Sequence, residues 1–150
     1  MNPALKDEIT SILDGANDMT IATVREDSYP QATTVSYVND GLATYFGCAA
    51  QSQKAKNIGP NDKVSLTVNL PYASWDKIRG LSIGGRAAPV VDPKDMDRVG
   101  ELMFRKFPEI ARYAPTDMEE LILFRISPEI ISVLDYRKGS GHTDLVKAVA

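Results

Sequence analysis

Ser52-Gln53-Lys54 is the stretch of this sequence most able to do chemistry. A strand ending at Phe46-Gly47 runs into a loop, and these three residues then open a short helix. A hydroxyl, free N–H groups and an ammonium at a helix start converge on one point and suit an anion, above all a phosphate. The same residues also read as an ordinary helix start, with Ser52 as the cap and Lys54 and Lys56 on a solvated face. Residue types alone leave both readings open. Other constellations carry less. Gly80, Gly84 and Gly85 lack the spacing of a dinucleotide loop, and no Gly-Lys-Ser/Thr sequence offers a nucleotide-phosphate cradle. Cys48 and His142 lie far apart, and Cys48 reads as a small residue at a strand end. His142-Thr143-Asp144 beside a serine mimics a triad, but a tail is a poor frame for one, so these read as surface polar residues. One Cys and one His exclude a disulfide framework within the chain, a Cys-rich zinc site and a poly-His metal site in one subunit, so no metal is expected.

The elements that must position these residues follow from periodicity. Asn2 as cap, Pro3 at the first turn and Leu5, Ile9, Ile12 and Leu13 on one face predict a helix over about 3–14, with Gly15 as a left-handed stop. From Met19 the period changes to two, and a strand runs to Val24. After a turn at Glu26-Asp27-Ser28, Pro30 leads into a second strand, Ala32 to Val38. Asn39-Asp40-Gly41 is a hairpin turn, and Leu42 to Gly47 forms the third strand. The short helix begins near Gln51 or Ser52, and Val64 to Asn69 is a fourth strand. A loop holding Tyr72 and Trp75 precedes a fifth, Ile78 to Val91, in which Gly84-Gly85 mark a bulge or a close backbone approach. Asp92 and Pro93 start the longest helix, whose stripe of Met96, Val99, Leu102, Met103 and Phe107 is buried and which Pro108 ends. Pro115-Thr116-Asp117 is a turn. Leu121 to Ile126 and Ile130 to Leu134 are a final strand pair, or one strand bent at Pro128, and the tail from about 136 to 150 shows little periodicity.

Six or so short antiparallel strands with helices at the edges imply a mainly β (α+β) fold that closes into a small barrel, because closure removes exposed strand edges. A length of 150 residues, 43% hydrophobic and 25% charged, suits one domain over 1–150, with the barrel at about 18–135. A net charge of −3 argues against nucleic-acid binding by bulk electrostatics. The opening residues carry acids and no apolar run, and no stretch of about 18 apolar residues exists to cross a membrane, so a cytoplasmic protein is expected.

In order and spacing, Met19-Thr20-Ile21-Ala22-Thr23-Val24, Tyr29 to Ser36, Tyr45-Phe46-Gly47, Ser52-Gln53-Lys54-Ala55 and Val64 to Val68 resemble the pyridoxamine 5′-phosphate oxidase-like family, the FMN-binding split barrels. The resemblance covers about residues 5–135. It implies a six-stranded antiparallel split β-barrel and a homodimer with FMN at the subunit interface. The flavin ring would lie along Thr33, Thr34, Val35 and Ser36 and along Tyr45, Phe46 and Gly47. Ser52, Gln53 and Lys54 would grip its phosphate, and the partner subunit would add residues near Arg79-Gly80-Leu81. Trp75 would wall the pocket or pack at the dimer interface. There are departures as well. Thr33 and Val38 stand where the true oxidase has basic residues, Gln53 stands where it has arginine, and the oxidase's basic C-terminal substrate motif is missing. Synthesis of pyridoxal phosphate is therefore not expected. The resemblance points instead to a flavin-dependent oxidoreductase acting on a small-molecule substrate or electron acceptor, with no catalytic side chain required because the cofactor does the chemistry. Two alternatives are a split barrel that binds haem or a deazaflavin, with His142 the sole imidazole, and a non-enzymatic flavin binder.

Overall fold

Asn2 caps the first helix as its sequence directs, its side-chain oxygen accepting from the Ala4 N–H at 2.8 Å. The structure is a computed structural model that describes residues 1–112 and 120–148; the turn expected at Pro115-Thr116-Asp117 lies outside them. Helix α1 (Pro3–Gly15) buries Ile9, Ile12 and Leu13. Gly15 is not a left-handed stop: it is the last helical residue, its φ is not positive, and the chain leaves through an extended Ala16. Glycine is favoured there by crowding, since a Cβ would lie 3.2 Å from Leu70 Cδ2.

The remaining elements are β1 (Asp18–Val24), β2 (Pro30–Ser36), β3 (Val38–Asp40), β4 (Ala43–Ala49), α2 (Gln53–Ile58), β5 (Lys63–Asn69), β6 (Arg79–Pro89), α3 (Pro93–Lys106), β7 (Leu121–Asp135) and β8 (Thr143–Lys147). All eight strands join one antiparallel sheet in the order β2-β1-β5-β6-β7-β4-β3, with β8 added on β7. Inward residues alternate with outward ones, as in β5, where Val64, Leu66 and Val68 are buried between exposed Lys63, Ser65 and Asn69. These inward side chains and the apolar face of α1 share a single core.

Eight strands stand where six were expected, for two reasons. The stretch read as a single strand from Ala32 to Val38 breaks at Tyr37. Its ring is fully buried, and its hydroxyl donates to the Leu13 carbonyl of α1 at 2.5 Å. Before the break Ser36 pairs with Asp18, and after it Val38 pairs with Tyr45. The second reason is β8, which forms within the tail read as aperiodic. The closed barrel is corrected as well. The two ends of the strand order, β2 and β3, are joined through Tyr37, but no ladder seals the seam between β2 and β4 among the described residues. The barrel is split.

β7 is one strand rather than a pair, and three others pair with it: β6 along its length, β4 on residues 121–126 and β8 on residues 130–134. Its ladder with β6 shifts register between Gly84 and Gly85, opposite Pro128. Helix α3 begins as read, with the Asp92 carboxylate accepting from the Lys94 N–H at 2.9 Å. Val99, Leu102, Met103 and Phe107 pack on Val38, Tyr45 and Val90. Met96 leaves the expected stripe, 45% exposed, because it sits a turn before that contact begins. No helix among the described residues is long and apolar enough to cross a membrane.

Asp135, at the end of β7, is fully buried and accepts from the Arg137 N–H, Nε and Nη2 at 3.1, 2.9 and 2.8 Å. Those hydrogen bonds, chiefly the guanidinium's, hold its carboxyl well below the usual carboxylate range, against the opposing effect of burial. A depressed folded-state pKa stabilises fully above the unfolded value, near 4, and this contribution is lost as pH falls below it. Asp135→Asn keeps the shape and removes the charge, so it should cost about 1.5–3 kcal/mol at pH 7. The gap to wild type should narrow at pH 3. Urea unfolding at both pH values checks this; an equal gap at the two would show that ionisation is not the cause.

Candidate functional site

Two unpaired strand edges flank the seam. β2 pairs with β1 alone, and beyond Tyr45 the edge of β4 that faces away from β7 has no partner among the described residues. Such edges present N–H and C=O groups at alternate residues, a pattern that a flat heteroaromatic ring with its own donors and acceptors can meet. The residues expected along the ring lie here, but their side chains divide. Thr33 and Val35 are half-buried on the inner face, whereas Thr34 and Ser36 are exposed on the outer one. What the four share is backbone. Phe46 is a core residue, fully buried and stacked on Phe124 with centroids 5.5 Å apart, while the next residue, Gly47, is exposed.

At the opening sits α2, packed on β1 and β4. Ser52 caps it: its Oγ accepts from the Ala55 N–H at 3.3 Å, and its carbonyl accepts from the Lys56 N–H. The helix has only six residues, so its dipole adds little to anion binding. Gln53 gives one of its amide N–H groups to the helix itself. Its Nε2–H donates to Asn57 Oδ1 at 2.7 Å, and Asn57 Nδ2 donates to Thr23 Oγ1 at 3.0 Å and to Gln31 Oε1 at 3.1 Å. Lys54, half-buried, is in no ion pair among the described residues. Of the three residues expected on a phosphate, Lys54 alone has a charged group to spare. Beside Gln53, a groove of about 900 Å³ runs between the Arg25–Ser28 turn and α2.

Arg79 is not brought to this seam. It opens β6 opposite Asp135, with β5 and β1 between it and β2 and with β7 between it and β4. Its Nε is buried without a hydrogen-bond partner among the described residues. Trp75 is 79% exposed, beside Asp76, Tyr136 and Ser140. Cys48 is buried near the end of β4. His142 Nε2 meets Asp144 Oδ2 at 3.1 Å just before β8, and the Thr143 hydroxyl between them donates to the Gly141 carbonyl. Asn57, Thr23 and Gln31 were not anticipated. The spacing of Gln53 and Asn57 by one helical turn was a readable signal, whereas the other two links span 34 and 26 residues.

The outer face of the sheet carries charges at Lys63, Arg86, Arg125 and Lys147, but one row across it is small and uncharged. Thr20, Thr67, Ser82 and Ser132 lie in one register row that ends at Leu145, 70% exposed.

The residues at the seam fit FMN in kind, with strand edges for the ring and an ammonium for the anionic tail. None of residues 33–36, 46–47 or 52–54 carries a guanidinium, and the Arg25 in the neighbouring groove is paired with Asp27. The family model described as pyridoxamine 5′-phosphate oxidase matches residues 5–135. No curated protein matches the chain. A haem-binding protein of Mycobacterium smegmatis superposes with a TM-score of 0.81 at 16% identity over 98% of this chain, which spans only 59% of that protein. A conserved hypothetical protein of Mycobacterium tuberculosis superposes at 0.76 with 27% identity, covering 100% of this chain and 95% of its own. A Listeria innocua protein bearing the pyridoxamine 5′-phosphate oxidase name gives 0.70 at 24% identity, covering 87% and 98%. With the matched segment running from α1 through β7, the chain belongs to the pyridoxamine 5′-phosphate oxidase family of split barrels.

Proposed function

We propose that this protein binds FMN along the seam between β2 and β4 and serves as a flavin-dependent oxidoreductase for a small-molecule substrate or electron acceptor. The observation that carries this reading is the pair of unpaired strand edges with the uncommitted Lys54 beside them. When bound, the flavin supplies hydride transfer at its N5. The chain's part is placement. The backbone of Thr33–Ser36 and of Phe46–Gly47 orients the ring, and Lys54 holds the tail phosphate. No side chain of the chain is assigned a proton transfer, and the missing guanidinium groups argue against a true pyridoxamine phosphate oxidase.

A second copy seated on the outer face, over its neutral row, completes the site in this reading, bringing the start of the partner's β6, around Arg79, towards the flavin. The neutral row of Thr20, Thr67, Ser82 and Ser132 suits the centre of such a contact, because no charge has to be desolvated within it, while Lys63, Arg86 and Lys147 lie outside it. Sedimentation at micromolar concentration should give a dimer; a lone 16.4 kDa species would overturn the shared site.

The likeness to a haem-binding protein over 98% of the chain favours haem as a second reading, with His142 the sole imidazole. The visible spectrum of freshly purified protein decides between them. Two flavin bands support FMN, and a Soret band that His142→Ala alters supports haem. Turnover of a nicotinamide donor with added FMN then separates an enzyme from a binder.

A further inference from the structure

Asn57 is buried to 3% exposure although it is polar, and its amide is engaged at both ends: the oxygen accepts from Gln53, and the two N–H groups go to Thr23 and Gln31. A six-residue helix does not hold its own orientation, so α2 points where its ties to the barrel direct it. Ile58 supplies an apolar tie to the core. Asn57 supplies the directional one, and through Gln31 it reaches β2, the strand whose free edge lines the seam.

Resting on the reading of the seam as an FMN site, we infer that Asn57 is the positioning residue for Lys54, and that Gln53 serves Asn57 rather than the ligand. Lys54 lies less than one turn before Asn57 on the same helix, so fixing Asn57 against Thr23 and Gln31 fixes where the ammonium stands relative to the ring strand. Gln53 carries no charge, and one of its two amide N–H groups is held on Asn57, so the side chain is turned towards the helix's own mount. This explains how a glutamine can stand at a position where the resemblance leads one to expect arginine: it stiffens the mount of the remaining cation.

The test is a set of flavin-fluorescence titrations with FMN and riboflavin on Lys54→Ala, Gln53→Ala, Asn57→Ala and the Gln53/Asn57 double variant. Amide exchange of α2 in the ligand-free proteins is measured beside them. Asn57→Ala should weaken FMN roughly three- to tenfold, part of what losing the ammonium itself costs, and riboflavin by less than about twofold. The double variant should bind FMN as Asn57→Ala does, because the two residues act as one unit. Exchange of the α2 amides should speed up in both single variants. Additive losses would mean that Gln53 touches the phosphate itself and would overturn the inference, as would an Asn57→Ala protein with unchanged FMN affinity. If Asn57→Ala does not fold, Thr23→Val, which removes a single acceptor, takes its place in the cycle. The Lys54→Ala arm keeps the two claims apart. Unchanged FMN binding there sinks the seam reading, whereas a loss there with none from Asn57 sinks only the positioning role.

Discussion

Lys54→Ala is expected to weaken FMN about ten- to a hundredfold and to leave riboflavin nearly untouched. The phosphate of FMN is close to doubly charged, and a charge-assisted hydrogen bond is worth about 1.5–3 kcal/mol, where about 1.4 kcal/mol is a factor of ten. The sequence assigns part of this load to Ser52 and the helix start. The structure removes the helix's part of that share, because α2 is only six residues long, and leaves Ser52 a neutral O–H to donate, its oxygen accepting from the Ala55 N–H. Lys54 is left as the one charged group among Ser52, Gln53 and Lys54. Lys56→Ala removes the same charge from an exposed position on the same helix and should cost less than about threefold, since an exposed charge is screened. Titrating both ligands against both variants checks the assignment. Equal losses of FMN and riboflavin, or equal effects of the two lysines, would show that Lys54 does not hold the phosphate.

Gly85→Ala should be the most damaging single-methyl change in the barrel, while Gly84→Ala, one residue away, should be almost silent. A Cβ on Gly85 would lie 2.5 Å from the Ser127 carbonyl oxygen and 3.2 Å from Pro128 Cα, both main-chain atoms that cannot swing aside. A Cβ on Gly84 would meet nothing within 4 Å. The expected cost at Gly85 is about 3 kcal/mol or more, at the upper end for overpacking, because relief requires β6 and β7 to part at their register shift. At Gly84 the change should stay within about 0.5 kcal/mol. Urea unfolding of the two variants side by side is the measurement, and equal stabilities would mean that the bulge is free to relax.

What the sequence could disclose was whatever is decided within a few residues. Asn2-Pro3 and Asp92-Pro93 start helices through contacts one turn long, Gly41 takes its positive φ of 60° inside its own hairpin, and Gly84-Gly85 mark the bulge. The misses are set by distant partners. Thr34-Val35-Ser36-Tyr37-Val38 reads as unbroken strand, and the partners that hold Tyr37 at the break, the Leu13 carbonyl for its hydroxyl and the Asn17 carbonyl for its N–H, lie 20 or more residues earlier. β8 is five residues whose burial merely alternates between exposed and half-buried, and it is a strand because β7 offers it an edge. The candidate site divides in the same way. Ser52 and Lys54 stand out through local context, whereas Asn57 looks like one more polar residue of a short helix until Thr23 and Gln31 are brought against it.

The three-way pairing of β7 carries a consequence for how the protein is made. β4 is finished at Ala49, yet the strand that covers it begins at Leu121. At about 5–20 residues per second on the ribosome, that leaves β4 waiting for several seconds with one long edge bare. β6 waits too, and so does the inner face on which Phe46 expects Phe124. Local pairs such as the β1–β2 hairpin can form as they emerge, but the barrel wall cannot curl shut until its keystone strand has been synthesised. Assembly is thus a single late event rather than a gradual winding. Until then the growing polypeptide presents open edges of the kind that nascent-chain chaperones shield and that neighbouring chains on a polysome could capture.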